Sequence, residues 1–117
     1  MRPSEQIRVY LCREAIDMRK AINGLSILVE QGLGLDPFGP ALFVFCNRKR
    51  DKIKVLYWER TGFVLWYKRL EKHRFAWSLP GDGEVLSLSG RELNWLLDGI
   101  DVFALRPHEE ISFETVL

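Results

Sequence analysis

The sequence has few of the residues that mark metal-bound or disulfide-linked chains. Its two cysteines, Cys12 and Cys46, and its two histidines, His73 and His108, stand far apart. Zinc sites use closely paired ligands, and none of these four residues is paired in that way. Each cysteine lies in a short apolar run, where a reduced thiol behaves as a small hydrophobic side chain. We therefore predict buried, reduced thiols, no metal site and no cofactor.

Long apolar runs are also absent. No segment approaches the roughly 20 apolar residues that span a bilayer, and the first residues, MRPSEQIRVYL, lack the apolar stretch of a signal peptide. We expect a cytoplasmic protein with no membrane partner. A length of 117 residues fits one domain. We predict a single domain over residues 1–117, with a core at about 7–105 and a loosely held tail at 106–117.

Charge is abundant but unevenly distributed. The formal net charge is +1. Residues 47–74 contain ten Lys or Arg and three Asp or Glu, whereas the rest of the chain contains seven and thirteen. The ten cations are Arg48, Lys49, Arg50, Lys52, Lys54, Arg60, Lys68, Arg69, Lys72 and Arg74. Such a zone is typical of a surface that binds a polyanion, although the same cations also solvate exposed strands and turns.

Short apolar runs rich in β-branched and aromatic residues predict four strands, at residues 7–12, 42–46, 53–58 and 63–70. The turn sequences NRKRD and ERTG separate the last three runs, which predicts consecutive antiparallel hairpins with Gly62 able to take a positive φ. Both faces of these strands are partly apolar. We therefore expect the middle of the sheet to be covered on both sides.

Two helices are predicted from apolar spacing and capping signals. The first has Asp17 as its N-cap and ends before Gly32. The second is short, begins with a capping box between Ser89 and Glu92, and stops at Gly99. The predicted fold is a small α+β domain, in which one longer helix and one short C-terminal helix pack on an antiparallel β-meander.

Arg19 and Lys20 fall in the first turn of the first predicted helix, where the helix dipole disfavours cations. Free backbone N–H groups and two cations at a helix start would hold a phosphate or a carboxylate. These two residues are therefore a possible anion site, unless Glu14 or another local acid neutralises them.

Several short strings in the sequence occur together in an order that resembles a known family. They are DMRK at 17–20, GL at 24–25, DPF at 36–38, LFVF at 42–45, NRKRDKIK at 47–54, LYW at 56–58, TGF at 61–63, YKRLE at 67–71 and LLDGID at 96–101. Over about residues 7–103 the chain resembles the TnpB-type accessory proteins, encoded by the second open reading frame, of the bacterial insertion-sequence family numbered sixty-six. The resemblance implies a role in transposition beside a separate, larger transposase that carries the cutting chemistry.

The residues themselves do not predict an enzyme. A two-metal site for strand transfer needs converging carboxylates, but Asp17 is explained as a cap and Asp36 as a turn residue before Pro37. Neither a phosphate-binding glycine loop nor a nucleophile elbow is present. The resemblance adds no catalytic residues, since none is assigned in the family. We predict a non-enzymatic protein.

Two non-enzymatic functions remain open, and we prefer the first. In the first, the ten cations of residues 47–74 contact the phosphates of DNA at transposon ends. Four aromatic residues are candidates for stacking on unpaired bases, namely Trp58, Trp66, Tyr67 and Trp77. In the second, the protein is an adaptor that binds the transposase or another element-encoded protein. Clustered open cations beside exposed aromatics would favour nucleic acid, whereas an exposed apolar patch would favour a protein partner.

Overall fold

Five strands and two helices make up the part of the chain that the structure, a computed structural model, describes: residues 3–77 and 79–104. The strands are β1 (Arg8–Cys12), β2 (Ala41–Cys46), β3 (Lys52–Glu59), β4 (Gly62–Arg69) and β5 (Val85–Ser89). The helices are α1 (Ile22–Ile27), which continues into a π-helical turn over Leu28–Gly32, and α2 (Gly90–Leu97). The tail predicted at 106–117 lies outside the described residues.

The strands form one sheet in the order β4-β3-β2-β1-β5. The predicted antiparallel meander is confirmed for β2, β3 and β4. The first strand differs, because β1 pairs with β2 in parallel and α1 lies in the connection between them. The fifth strand was not predicted, although its sequence VLSLS alternates apolar and polar residues, and it pairs antiparallel with β1. The α+β class is confirmed.

Both faces of the sheet are covered, as predicted. On one face, apolar side chains of β1, β2 and β3 pack against Leu93, Leu96 and Leu97 of α2. On the other face, Leu25 of α1 and Val29 of the π-helical turn cover residues of β2 and β3. Every residue of β2 is buried. Its last residue, Cys46, is a free thiol, as predicted, and burial raises its pKa to about 12.

The second helix follows its sequence signals closely. The Ser89 hydroxyl accepts a hydrogen bond from the Glu92 backbone N–H at 3.1 Å, and the Glu92 carboxylate accepts one from the Ser89 N–H at 3.1 Å. The helix is followed by Gly99 with a φ of 88°. The predicted capping box and end are therefore confirmed. In the described ranges, no helix has the length and apolarity needed to cross a membrane.

The predicted start of the first helix was wrong. The helix begins at Ile22, and its N-cap is Ala21, which provides no side-chain cap. Asp17 instead closes a local turn, in which its Oδ1 accepts a hydrogen bond from the Arg19 N–H at 2.9 Å. Arg19 and Lys20 therefore precede the helix and do not lie in its first turn.

Lys54 on β3 binds the segment that precedes the helix. Its Nζ donates to the carbonyl oxygens of Met18 at 2.7 Å and Lys20 at 2.8 Å. These two hydrogen bonds hold the segment before α1 against the sheet.

Two helix glycines give a matched test of this packing. A Cβ on Gly90 would overlap the Ser4 carbonyl oxygen, whereas a Cβ on Gly24 would meet the Lys20 side chain at an ordinary 3.6 Å. We expect Gly90→Ala to lower the free energy of unfolding by about 2 kcal/mol or more, and Gly24→Ala to raise it by about 0.5 to 1 kcal/mol. Urea denaturation followed by circular dichroism measures both. Equal effects of the two substitutions would contradict the close approach at Gly90.

Candidate nucleic-acid interface

The turn between β2 and β3 is organised by one buried side chain, Asn47. Its Oδ1 accepts hydrogen bonds from the backbone N–H groups of Asp51 at 3.1 Å and Lys52 at 3.0 Å, and its Nδ2 donates to the Asp51 carboxylate at 2.7 Å. Asparagine favours turns because its side chain bonds to the backbone a few residues away. The result is a fixed hairpin tip that leaves Arg48 and Lys49 exposed to solvent.

Arg50, the next residue of the tip, has a φ of 65°. This left-handed conformation is uncommon for a residue other than glycine and persists where surrounding contacts hold it. Two contacts do so here. The Arg50 guanidinium donates to the Trp77 carbonyl oxygen at 3.1 Å, and the Arg50 carbonyl oxygen accepts from the Phe75 N–H at 2.7 Å.

The segment after β4 is fixed beside this tip at two points. The Leu70 N–H donates to the Asp51 carbonyl oxygen at 2.8 Å, and the Phe75 N–H donates to Arg50. Residues 71–74 lie between these two anchors and are all exposed. Lys72 and Arg74 are therefore brought to the same end of the sheet as the hairpin tip.

Two further predicted cations meet at this end. Lys52, which begins β3, lies directly opposite Arg69, which ends β4. Like charges in this arrangement are destabilising unless acids compensate. Here Lys52 pairs with Asp51 at 3.4 Å, and Arg69 pairs with Glu71 at 2.8 Å.

We call the resulting surface the basic end. Its members are Arg48, Lys49, Lys52, Arg69, Lys72 and Arg74. Within residues 3–77 and 79–104, four of the six make no ion pair: Arg48, Lys49, Lys72 and Arg74. All four are exposed. The basic end therefore carries uncompensated positive charge that faces solvent.

Three other predicted cations are bound to the protein's own carbonyl groups. Arg50 and Lys54 hold the two loop segments described above. Lys68 donates from Nζ to the carbonyl oxygen of Leu97 at 2.8 Å. Leu97 is the last residue of α2, where free carbonyls and the helix dipole favour a cation. These three side chains stabilise the fold.

Arg60 lies far from the basic end. It occupies the turn between β3 and β4, and β3 separates it from the hairpin tip by eight residues, or roughly 25 Å. The positive φ predicted for Gly62 occurs at Arg60 instead, with a φ of 54°.

Arg19 and Lys20 are placed differently from the prediction. The Arg19 guanidinium pairs with the Asp17 carboxylate at 2.6 Å. Hydrogen bonds from Arg19 lower the pKa of Asp17 to about 2. Asp17, and not Glu14, is therefore the local acid that neutralises Arg19. Binding of an external anion at this point stays a prediction.

Comparison with known protein families supports the resemblance noted in the sequence. The model of the family described as "IS66 Orf2 like protein" matches residues 7–107. The chain belongs to the IS66 Orf2-like family. The resemblance seen in the sequence is thus confirmed, and membership indicates an accessory protein of an insertion sequence.

Two relatives of this IS66 Orf2-like protein come from Sinorhizobium fredii (strain NBRC 101917 / NGR234). The uncharacterized protein y4jC is 33% identical over 99 residues, which cover 85% of this chain and 84% of the relative. The uncharacterized protein y4hO is 36% identical over 102 residues, which cover 86% and 88%. No solved structure matches the chain significantly.

The four aromatic candidates in this IS66 Orf2-like protein differ in exposure. Trp77 is buried, and Trp58 and Trp66 are half-buried. Tyr67 is 50% exposed, and its ring centroid lies 5.6 Å from the Nζ of Lys54. Tyr67 is therefore the candidate best placed to meet a base.

A second exposed aromatic group lies at the opposite end of the sheet. Phe38 is 56% exposed, and its ring lies 5.1 Å from Trp58 and 5.2 Å from Phe63. We call these three residues the aromatic cluster. Trp58 and Phe63 face each other across the β3–β4 hairpin, close to its turn. The sequence prediction had not linked Phe38 to this pair.

The role of Asn47 at the hairpin tip leads to a test by substitution. Asn47→Ala should lower the free energy of unfolding by about 1 to 3 kcal/mol, because two backbone N–H groups lose their acceptor. Asn47→Asp keeps the acceptor but places a second carboxylate against Asp51. Neighbouring carboxylates raise each other's pKa. The penalty of Asn47→Asp should therefore be present at pH 7 and shrink as the pH falls to 4.

In the natural protein, the effect of Asp51 on stability changes with pH in the opposite direction. The hydrogen bond from Asn47 lowers the pKa of Asp51. Its stabilising contribution is therefore complete above the unfolded-state pKa and is lost as the pH falls through the lower folded-state pKa. Urea midpoints between pH 3 and 7 measure both effects. A penalty for Asn47→Asp that does not change between pH 4 and 7 would contradict the contact.

Proposed function

We propose that this protein is a non-catalytic accessory protein of insertion-sequence transposition that binds DNA at the transposon ends through its basic end. One observation carries the proposal. The two backbone hydrogen bonds at Leu70 and Phe75 hold residues 71–74 beside the hairpin tip. Exposed cations from two separate segments, residues 48–49 and residues 71–74, therefore lie at one end of the sheet.

The chemistry of these side chains fits phosphate binding. Arginine and lysine neutralise DNA phosphates and release counterions, and this term supplies much of the binding free energy. Clustered, uncompensated cations repel one another in the free protein, and a bound polyanion relieves this repulsion. A two-stranded β ribbon also fits the major groove, so the hairpin tip can enter it while Lys72 and Arg74 contact the backbone. Phosphate contacts fix position but carry no sequence information.

The sharpest test compares the two ends of the same hairpin. Duplex DNA carrying the element's terminal repeats is titrated with protein by fluorescence anisotropy at 50 to 200 mM salt. The double variant Arg48→Gln, Lys49→Gln should bind more weakly and reduce the log–log salt slope by about 2, or about 1 for each lost phosphate contact. Arg60→Gln removes a cation at the opposite end and should leave the slope unchanged.

Two outcomes would overturn the DNA proposal. One is the absence of binding by the folded natural protein at 50 mM salt. The other is a reduction of the salt slope by Arg60→Gln that equals, for each cation removed, the reduction by the double variant, which would indicate a general charge effect and not a surface. Urea midpoints close to that of the natural protein establish that each variant is folded.

The aromatic cluster favours a second function, that of an adaptor for the transposase or another element-encoded protein. An exposed apolar group is the usual signature of a protein contact, and Phe38 is the most exposed large apolar side chain in the described ranges. This function is compatible with DNA binding because the cluster lies away from the basic end.

The adaptor function is tested at Phe38. We expect Phe38→Ala to reduce co-purification with the transposase at least tenfold while DNA affinity stays unchanged. Ile100→Ala, a change at another exposed apolar side chain beyond the end of α2, is the control and should retain co-purification. Retention of the transposase by Phe38→Ala would contradict the adaptor role of the cluster.

A further inference from the structure

A cavity of about 440 Å³ lies directly beside the basic end. Its lining residues are Arg50, Arg74, Phe75, Ala76, Trp77 and Asp101. The cavity is shallow and largely open to solvent. The cavity combines two guanidinium groups, two aromatic rings and one carboxylate, which is an unusual set for a merely structural gap.

Two arginines, Arg50 and Arg74, line the cavity. Arg74 is exposed and forms no ion pair within the described residues. Arg50 is fixed, because its carbonyl oxygen and its Nη1 are bonded to Phe75 and Trp77, which also line the cavity. Its remaining guanidinium N–H groups make no hydrogen bond with the described residues. Guanidinium groups match phosphate oxygens in pairs of parallel hydrogen bonds.

The other lining side chains include two buried aromatic residues, Phe75 and Trp77, and one acid, Asp101. Asp101 uses its Oδ1 to accept from the N–H groups of Phe103 and Ala104 at 3.2 Å each. Its carboxylate excludes a phosphate from that side and is able to accept N–H donors.

We propose that this cavity binds a nucleotide with a terminal phosphate, presented as the end of a DNA strand or as a free mononucleotide, with the phosphate on Arg50 and Arg74. The proposal rests on the proposed DNA-binding function and names the group that the site recognises. A terminal phosphate carries between one and two negative charges at neutral pH, whereas an internal phosphate carries one. Two guanidinium groups therefore discriminate a strand end from the interior of a strand.

Strand ends test the proposal directly. Single-stranded oligonucleotides of one sequence carry a 5′-phosphate, a 3′-phosphate or neither, and each is labelled at the opposite end, or internally where neither end is phosphorylated. Fluorescence anisotropy should show at least one phosphorylated strand binding roughly tenfold or more tightly than the unphosphorylated one, as expected for a charge-assisted hydrogen bond. Deoxyadenosine monophosphate, titrated alone and as a competitor, tests the free nucleotide as the source.

Arg74→Gln should abolish the preference for the phosphorylated strand. Lys72→Gln is the matched control, since it removes one positive charge two residues earlier, on an exposed side chain that does not line the cavity. It should weaken binding of all strands equally and keep the tenfold ratio. Ala76→Leu leaves every charge in place but adds bulk to the lining of the cavity, and it should reduce the ratio.

The outcomes separate the two proposals. Equal binding of phosphorylated and unphosphorylated strands would overturn the cavity proposal and leave DNA binding intact. Binding of the mononucleotide that Arg74→Gln removes, without binding of any DNA, would support the cavity and overturn the DNA function. Binding of neither would overturn both.

Discussion

The complete burial of β2 is the constraint on which the rest of the structure depends. This strand occupies the middle of the five-stranded sheet, and the two helical segments cover its two faces. An unpaired charge in such a strand would be very costly. β2 therefore carries no charged residue, and the cations of the hairpin begin where β2 stops, at the turn that Asn47 organises. The charged surface of the hairpin therefore begins where the buried strand ends.

The features of the fold differ in how far the sequence could predict them. The capping box of Ser89 and Glu92 and the hairpins from β2 to β4 depend on residues close together in the chain, and both were predicted correctly. The segment before α1 is held by Lys54, whose amine binds carbonyls 34 and 36 residues earlier. The parallel pairing of β1 and the addition of β5 likewise depend on contacts between distant segments. No local pattern carries that information.

The candidate site likewise has features that the sequence predicted and features that it did not. Composition alone identified residues 47–74 as a basic zone, and the exposure of Arg48 and Lys49 at a turn agrees with it. Composition could not separate cations that face solvent from those that bind backbone carbonyls, because the acceptors of Arg50, Lys54 and Lys68 lie 27 to 36 residues away. The strand register distinguishes these two groups of cations. It also places the basic end and the aromatic cluster at opposite ends of the β3–β4 hairpin.

The pairing of β1 with β5 has a consequence for the order in which the chain is built. β1 is translated before the other strands of the sheet, whereas β5 and α2 come more than 70 residues later. Domains begin to fold during synthesis, and hairpins between neighbouring strands need only short loops to close. We expect β2, β3 and β4 to assemble first, with the α2 side of the sheet still open. A ribosome that stalls before residue 97 would thus hold a nascent chain with an apolar sheet face exposed to chaperones.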